Sequence, residues 1–86
     1  MKMKIAILGS TGSIGKSTLE VIKKNKKNFD VILLSANNNY KKLIKQAKEF
    51  KAKSVLIKNK IFFRKVKDGL KKCNTKVYAG DVSLNK

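Results

Sequence analysis

Short apolar runs alternate along this chain with segments whose apolar residues recur at helical spacing, and this alternation restricts the possible folds more than any other feature. The apolar runs predict strands at 4–8, 29–35, 54–57 and 76–79. The segments between them predict helices at 14–24, 40–47 and 62–70, and the clearest helical stripe is Tyr40, Leu43, Ile44 and Ala47. A repeated strand–helix–strand order is typical of parallel strands joined by right-handed crossovers.

The 86 residues are therefore predicted to form one α/β unit, since no Gly/Ser linker divides them. The strands are continuously apolar rather than alternating, which is typical of a sheet covered on both faces. We predict a Rossmann-like parallel sheet, a βαβαβαβ fragment with helices on both faces. A further helix is predicted to begin near Gly80 and Asp81, with Asp81 as its N-cap.

Three glycines, Gly9, Gly12 and Gly15, join the first predicted strand to the first predicted helix. In doubly wound folds this turn holds the phosphates of a nucleotide, and the helix N-terminus adds unpaired N–H donors and partial positive charge. Gly9 permits a tight turn, Gly12 lets backbone N–H groups approach a pyrophosphate, and Gly15 lets the helix pack close to the strand.

Two other interpretations of this turn stay open. The spacing G-x-x-G-x-x-G is one residue longer at its front than the dinucleotide fingerprint G-x-G-x-x-G, and such a turn can be purely structural. The segment from Ser10 to Ser17 also matches the P-loop of a nucleotide hydrolase, except that Ser10 replaces the first glycine. Against the P-loop, Asp30 is the one downstream acid suited to hold magnesium from a strand, and it lies at the strand's start.

The loop after the second predicted strand bears on which dinucleotide would bind. An NAD-preferring site has an acid here that hydrogen-bonds the ribose 2′-hydroxyl. This chain instead has Asn37, Asn38 and Asn39, followed by Lys41 and Lys42. Amides and lysines can accommodate a 2′-phosphate, so the loop favours NADP(H); the alternative is an ordinary polar loop in a Lys/Asn-rich chain.

The net charge of +17 by itself suggests a nucleic acid or an anionic membrane as partner. The positive charge comes from 21 lysines and a single arginine, spread over every segment. Base recognition favours the planar, bidentate guanidinium of arginine. We therefore interpret the lysines as solvated surface and expect no specific nucleic-acid partner. A small lysine-rich nucleic-acid-binding module remains the alternative from another functional class.

The composition excludes several kinds of site, because the chain has one cysteine, Cys73, and no histidine. It therefore contains no internal disulfide, no histidine general base and no histidine metal ligand. Its longest apolar runs are about four residues, against the ~18–20 that cross a bilayer, so we expect no membrane partner. The lone thiol fits a reducing compartment, which we expect to be the cytoplasm, or a plastid-type organelle if the source is eukaryotic.

The block from Ile5 to Gly15, followed by Ser17-Thr18-Leu19-Glu20-Val21-Ile22, resembles the N-terminus of the 1-deoxy-D-xylulose 5-phosphate reductoisomerase family. The resemblance continues through Leu34-Ser35-Ala36 and Asn39, fades after about residue 57 and recovers at 77–80. It implies an NADPH-dependent rearrangement and reduction that needs a divalent metal, Mg²⁺ or Mn²⁺. The product would be 2-C-methyl-D-erythritol 4-phosphate, in the non-mevalonate route to isoprenoid precursors.

The resemblance also implies which residues bind NADPH. The family's cofactor loop falls on Thr11, Gly12, Ser13 and Ile14, and its second loop falls on Asn37, Asn38 and Asn39. The family often has glycine at position 37; asparagine tolerates a left-handed backbone better than most residues, so we expect the loop to be kept. Lys16 replaces a small or neutral residue, which we expect neither to help nor to harm.

The family's metal-binding carboxylates, sugar-phosphate site and mobile loop have no counterpart in this sequence. We therefore expect residues 1–86 to be the N-terminal part of an NADPH-binding Rossmann domain, with the catalytic and C-terminal domains absent from this chain. No catalytic or metal-binding residue is predicted within it. The resemblance implies that the full-length parent is a homodimer, and we expect the 86-residue chain alone to be inactive.

Overall fold

Each apolar run predicted as a strand is a strand in the computed structural model, which describes residues 3–80. The strands are separated by helices, as predicted, and the helix predicted near Asp81 lies outside the described residues. In chain order the elements are β1 (Met3–Ile7), α1 (Ser13–Lys24), β2 (Phe29–Ala36), α2 (Tyr40–Phe50), β3 (Ser54–Ile57), α3 (Phe63–Gly69) and β4 (Lys76–Ala79), with 3₁₀ turns at Lys26–Asn28 and Lys60–Phe62.

The helix α2 illustrates how local sequence sets the elements. Asn39 is its N-cap, and the Asn39 side chain accepts a hydrogen bond from the backbone N–H of Lys42. The apolar stripe faces the core, with Leu43 fully buried. The helix ends where Lys51 adopts a left-handed conformation, with φ of 52°. Among residues 3–80, no helix combines the length and the apolar character needed to cross a membrane.

The four strands form one parallel sheet in the order β1-β2-β3-β4. Ile7 lies opposite Leu34, Leu34 opposite Val55, and Val55 opposite Val77. The register shifts once, between Ile5 and Ala6. Because all the strands are parallel, their carboxyl ends lie at the same edge of the sheet, and the loops that follow them meet there.

One face of this sheet carries the core. Its buried side chains include Ile7, Leu34, Val55 and Ile57, which share a face by register and by strand alternation. All three helices contribute to the same hydrophobic cluster, through Leu19 and Ile22 of α1, Leu43 and Ala47 of α2, and Val66 of α3.

The opposite face is not covered by any helix within residues 3–80, so the expected coverage of both faces is not met in the described part of the chain. Ala6 and Tyr78 are exposed there, and Leu33 and Leu56 are half-buried. The reason is topological: right-handed crossovers that always step in the same direction place every connecting helix on the same face. The α/β class and the Rossmann-like parallel sheet are confirmed.

Candidate cofactor site

The glycine turn and the asparagine loop are neighbours at the carboxyl edge of the sheet. The turn follows β1 and the loop follows β2, and these strands pair directly. The backbone N–H of Ser10 donates to the carbonyl of Ser35 at 2.8 Å, and the N–H of Gly9 donates to the Ser35 hydroxyl at 2.9 Å. The end of β2 therefore holds the turn in place, and the two predicted halves of the site are brought together.

The three glycines meet different requirements. Gly9 has φ of 70°, a left-handed backbone that disfavours other residues. A Cβ at Gly15 would lie 2.4 Å from the carbonyl oxygen of Gly9, so only glycine lets α1 pack this close to the turn. A Cβ at Gly12 would meet only that same oxygen, at an ordinary 3.4 Å. The protein itself therefore tolerates a side chain at position 12, and the space there is open to a ligand.

The N-terminus of α1 is suited to an anion. Gly12 is the N-cap and has no side chain to accept hydrogen bonds from the first-turn N–H groups. The hydroxyl of Ser13 is exposed beside them, Thr11 is half-buried, and Ile14 is 84% exposed. Free amides, the helix dipole and nearby hydroxyls together can bind a phosphate group.

A buried polar network attaches the glycine turn to α2. Ser10 is fully buried, and its hydroxyl donates to the Gln46 side-chain oxygen at 2.8 Å. The Gln46 amide returns a hydrogen bond to the carbonyl of Ser10 at 3.0 Å. Gln46 belongs to α2, so this reciprocal pair couples the turn to the helix that follows the asparagine loop.

The asparagine loop is ordered mainly by its own polar groups. Asn39 caps α2, and its carbonyl accepts from the N–H of Leu43 at 3.1 Å. The Asn38 side-chain oxygen accepts from the Asn59 amide at 2.8 Å, and the backbone N–H of Asn59 donates to the Asn37 carbonyl at 3.0 Å. Asn59 follows β3 and thus braces the loop from the neighbouring strand.

Asn37 does not use a left-handed conformation to keep this loop. Among residues 3–80, Lys51 is the one non-glycine residue with positive φ. The loop instead keeps its shape through its hydrogen bonds to Asn59. The side chain of Asn37 is exposed at the edge of the site.

Two lysines meet beside these loops. Lys16 lies in α1 and Lys42 in the first turn of α2, and both are exposed. The pKa of Lys42 is lowered from its ordinary 10.5, first because its uncharged amine can accept a hydrogen bond from the Lys16 ammonium and then because the Lys16 charge repels the Lys42 ammonium. Partial desolvation and the charge of Lys45 lower it further.

The geometry does not favour the P-loop interpretation. Asp30 is the second residue of β2, at the opposite edge of the sheet from the glycine turn, and it forms an ion pair with Lys53 at 3.3 Å. It is therefore too far along the strand to hold a metal beside the turn. Within residues 3–80, no group of three or more His, Cys, Asp or Glu side chains could hold a metal ion.

Sequence reasoning did not single out Gln46 and Asn59 as site residues. Ser10 and Gln46 are 36 positions apart, and Asn38 and Asn59 are 21 positions apart, so neither pair shares a local motif. The available signal for Gln46 was its place on the apolar face of α2, next to Leu43 and Ala47, since a buried amide on such a face must find a partner.

The comparisons with known proteins decide which family the chain belongs to. Residues 5–86 match the family model of 1-deoxy-D-xylulose 5-phosphate reductoisomerase. The chain belongs to this family. It is similar to the 1-deoxy-D-xylulose 5-phosphate reductoisomerase of Pelagibacter ubique, with 51% identity over 83 residues, and to that of Porphyromonas gingivalis, with 48% over 80 residues. These alignments cover 96% and 93% of the chain but only 21% of each relative.

Solved reductoisomerase structures have the same fold as residues 3–80. The enzyme from Zymomonas mobilis in complex with NADPH matches with a TM-score of 0.91 and 36% identity, over 93% of this chain and 21% of that one. A reductoisomerase in complex with NADPH, fosmidomycin and magnesium matches with a TM-score of 0.86 and 26% identity, over 94% of this chain and 20% of that one. The chain thus spans about a fifth of the length of the reductoisomerases that it matches.

Proposed function

We propose that residues 1–86 form the N-terminal part of the NADPH-binding domain of a reductoisomerase. The parent enzyme would convert 1-deoxy-D-xylulose 5-phosphate to 2-C-methyl-D-erythritol 4-phosphate, in the non-mevalonate route to isoprenoid precursors. The observation that carries this proposal is the uncapped N-terminus of α1 behind Gly12, directly beside the loop that follows β2. The similarity to the NADPH complex from Zymomonas mobilis supports it.

The residues present fit this cofactor. Thr11, Gly12, Ser13 and Ile14 would hold the pyrophosphate through backbone N–H groups and hydroxyls, since a Cβ at Gly12 meets nothing closer than 3.4 Å and leaves that space open. The loop Asn37, Asn38 and Asn39 would hold the adenosine ribose. When bound, NADPH would supply the hydride for the reduction. The contribution of this chain is to bind and orient the cofactor.

The rest of the parent's chemistry would come from outside these residues. We assign the divalent metal, Mg²⁺ or Mn²⁺, and the sugar-phosphate substrate to the remainder of a full-length enzyme that acts as a homodimer. The lone cysteine of residues 1–86 fits a reducing compartment, so we assign the parent to the cytoplasm or to a plastid-type organelle. The 86-residue chain alone would be inactive. Turnover by the purified chain, given NADPH, metal and 1-deoxy-D-xylulose 5-phosphate, would contradict this.

A pair of glycine substitutions tests the cofactor assignment in the full-length protein. Gly12→Val places a side chain in the space where the backbone would approach the pyrophosphate, so it should weaken NADPH and NADH alike by about tenfold or more while the protein stays folded. Gly15→Ala forces a backbone clash at 2.4 Å and should instead lower the stability of the fold. Cofactor titration and urea unfolding separate the two effects.

Three results would overturn the proposal. Unchanged affinity for both cofactors in folded Gly12→Val would remove the pyrophosphate assignment. Metal-dependent ATP hydrolysis would favour the P-loop interpretation. Sequence-preferring binding to DNA would favour the nucleic-acid module, whereas a steep salt dependence without sequence preference would reflect the lysines alone.

A further inference from the structure

The helices α1 and α2 lie side by side and point the same way, because each connects two neighbouring parallel strands. Near their C-termini, opposite charges pair across the seam between them, where the Lys23 ammonium lies 3.0 Å from a Glu49 carboxylate oxygen. Lys16 precedes Lys23 by seven residues, and Lys42 precedes Glu49 by seven. Seven residues are about two helical turns, so each pair lies on one face of its helix.

The N-terminal end of the same seam therefore brings Lys16 and Lys42 together, and there the charges are alike. Neither side chain has an acidic partner among the ion pairs of residues 3–80. Two neighbouring ammonium groups repel each other, and a bound anion would remove that repulsion. The end of the seam opens between the glycine turn and the asparagine loop, where an NADP(H) molecule would carry its phosphates.

We propose that Lys16 and Lys42 together bind the 2′-phosphate of NADPH and so determine the preference of this site for NADPH over NADH. The inference rests on the proposed function and deepens it. It assigns a role to Lys16, for which the sequence suggested none, and it selects Lys42 over its neighbour Lys41. Lys41 is also exposed, but it is not among the groups that perturb Lys42.

The position of the pair favours the 2′-phosphate over the pyrophosphate. The ribose of a dinucleotide binds at the end of the second strand, and Lys42 lies in the first turn of the helix that follows that strand. A phosphomonoester carries nearly two negative charges at neutral pH, which matches two cations better than the single charge on each pyrophosphate group does. The pyrophosphate already has the free N–H groups of α1.

The test uses four variants of the full-length protein, with dissociation constants for NADPH and NADH measured by titration. Lys16→Met and Lys42→Met keep the length of each side chain and remove its charge. Each should weaken NADPH about tenfold and NADH less than about twofold. Lys42→Arg should retain the preference for NADPH. Lys41→Met makes the same change in net charge on the same helical turn and is the matched control.

The outcomes separate this inference from the proposed function. If the unaltered protein binds neither cofactor, the proposed function fails. If it prefers NADPH and that preference survives in both methionine variants, the inference alone is wrong. Equal weakening of NADPH and NADH would assign the pair to the pyrophosphate. An effect of Lys41→Met as large as that of Lys42→Met would indicate a diffuse positive field rather than a site, and it too would overturn the inference.

Discussion

At the residue scale, the site depends on a few polar atoms that cannot be exchanged freely. Ser10 illustrates this, because its hydroxyl and its carbonyl are both satisfied by one side chain, that of Gln46. A buried hydrogen-bonding group without a partner costs more than a hydrogen bond contributes. The glycine turn is therefore sensitive to Gln46, a side chain that contacts no cofactor in our proposal.

Gln46→Leu should destabilise the protein, because it leaves the Ser10 carbonyl without that partner and leaves the Ser10 hydroxyl with its longer contact, 3.3 Å, to the Ser35 carbonyl. We expect a loss of about 1–3 kcal/mol for the unpaired carbonyl, measured by urea unfolding of the full-length protein. Ser17→Ala is the control, since the Ser17 hydroxyl bonds the Ser13 carbonyl on an exposed surface. Ser10→Ala should cost less stability in the Gln46→Leu background than in the unaltered protein, because the Ser10–Gln46 hydrogen bond is already lost there; strictly additive effects would contradict the coupling.

Asn37→Asp should move cofactor preference toward NADH in the full-length protein. The new carboxylate would repel a 2′-phosphate and would accept a hydrogen bond from a free 2′-hydroxyl. Losing a charge-assisted hydrogen bond to the 2′-phosphate reduces the binding free energy by roughly 1.5–3 kcal/mol, which is about one to two decades in affinity. The ratio of the two dissociation constants measures the effect.

Asn74→Asp is the control for this change, because it adds the same charge at another exposed asparagine, between α3 and β4. That variant should leave the cofactor ratio as it is. If a folded Asn37→Asp protein also kept the original ratio, the assignment of the asparagine loop to the ribose would be wrong.

At the element scale, the sequence was sufficient to find the helices and the parallel strands, but it did not show which face of the sheet the helices cover. The bounds of β3 and β4 match the prediction, because each is a short apolar run between polar residues. The covered face of the sheet did not follow from the same evidence. In β2, Leu33 is half-buried on the open face and Leu34 is buried in the core, yet the two residues are chemically identical.

The site shows the same division between what local sequence decides and what the fold decides. The glycine turn was recognisable because its requirements are local: a left-handed Gly9, an open Gly12 and a close-packed Gly15. The meeting of Lys16 with Lys42 depends on how two helices lie side by side. The helical periodicity of the sequence defines each helix but does not specify how α1 and α2 pack beside each other.

The seam between α1 and α2 predicts a pH-dependent stability. The pKa of Lys42 is lowered in the folded state, so the repulsion from Lys16 is fully present while both are protonated and fades as pH rises toward 10.5. Without cofactor, Lys42→Met should therefore be more stable than the unaltered protein at neutral pH, and this gain should shrink in alkaline solution.

Urea unfolding across pH 7 to about 10 checks this, with Lys41→Met again as control for the change in net charge. Added salt should reduce the difference between the two variants, because both lysines are exposed to solvent. Equal gains in stability in both variants at every pH would show that the overall net charge, and not the contact between Lys16 and Lys42, causes the gain.

At the scale of the whole molecule, the described fold leaves apolar surface open to solvent. One face of the sheet presents Ala6, Leu33, Leu56 and Tyr78 without a covering helix among residues 3–80. The strands β1 and β4 are both edges, and an exposed edge of a parallel sheet can pair with another chain. The net charge of +17 opposes compaction as well.

We therefore expect the isolated 86-residue chain to be molten or to aggregate at low salt. Sedimentation velocity should detect large species, and a dye that binds exposed apolar surface should fluoresce strongly with the chain. The full-length protein is the control and should show neither effect. A soluble monomer with a sharp, cooperative unfolding transition would instead indicate that these residues are a complete domain.

The order β1-β2-β3-β4 also bears on how the chain acquires its structure during synthesis. Each strand after β1 pairs with the strand made just before it: Met3 pairs with Phe29, and Ser54 pairs with Lys76. Each new strand can therefore dock as soon as it leaves the ribosome, without waiting for a distant partner. Contacts between segments close in sequence form quickly, and N-terminal regions fold first as the polypeptide is made. The glycine turn, Ser35 and Gln46 would thus come close to one another before β3 and β4 had left the ribosome.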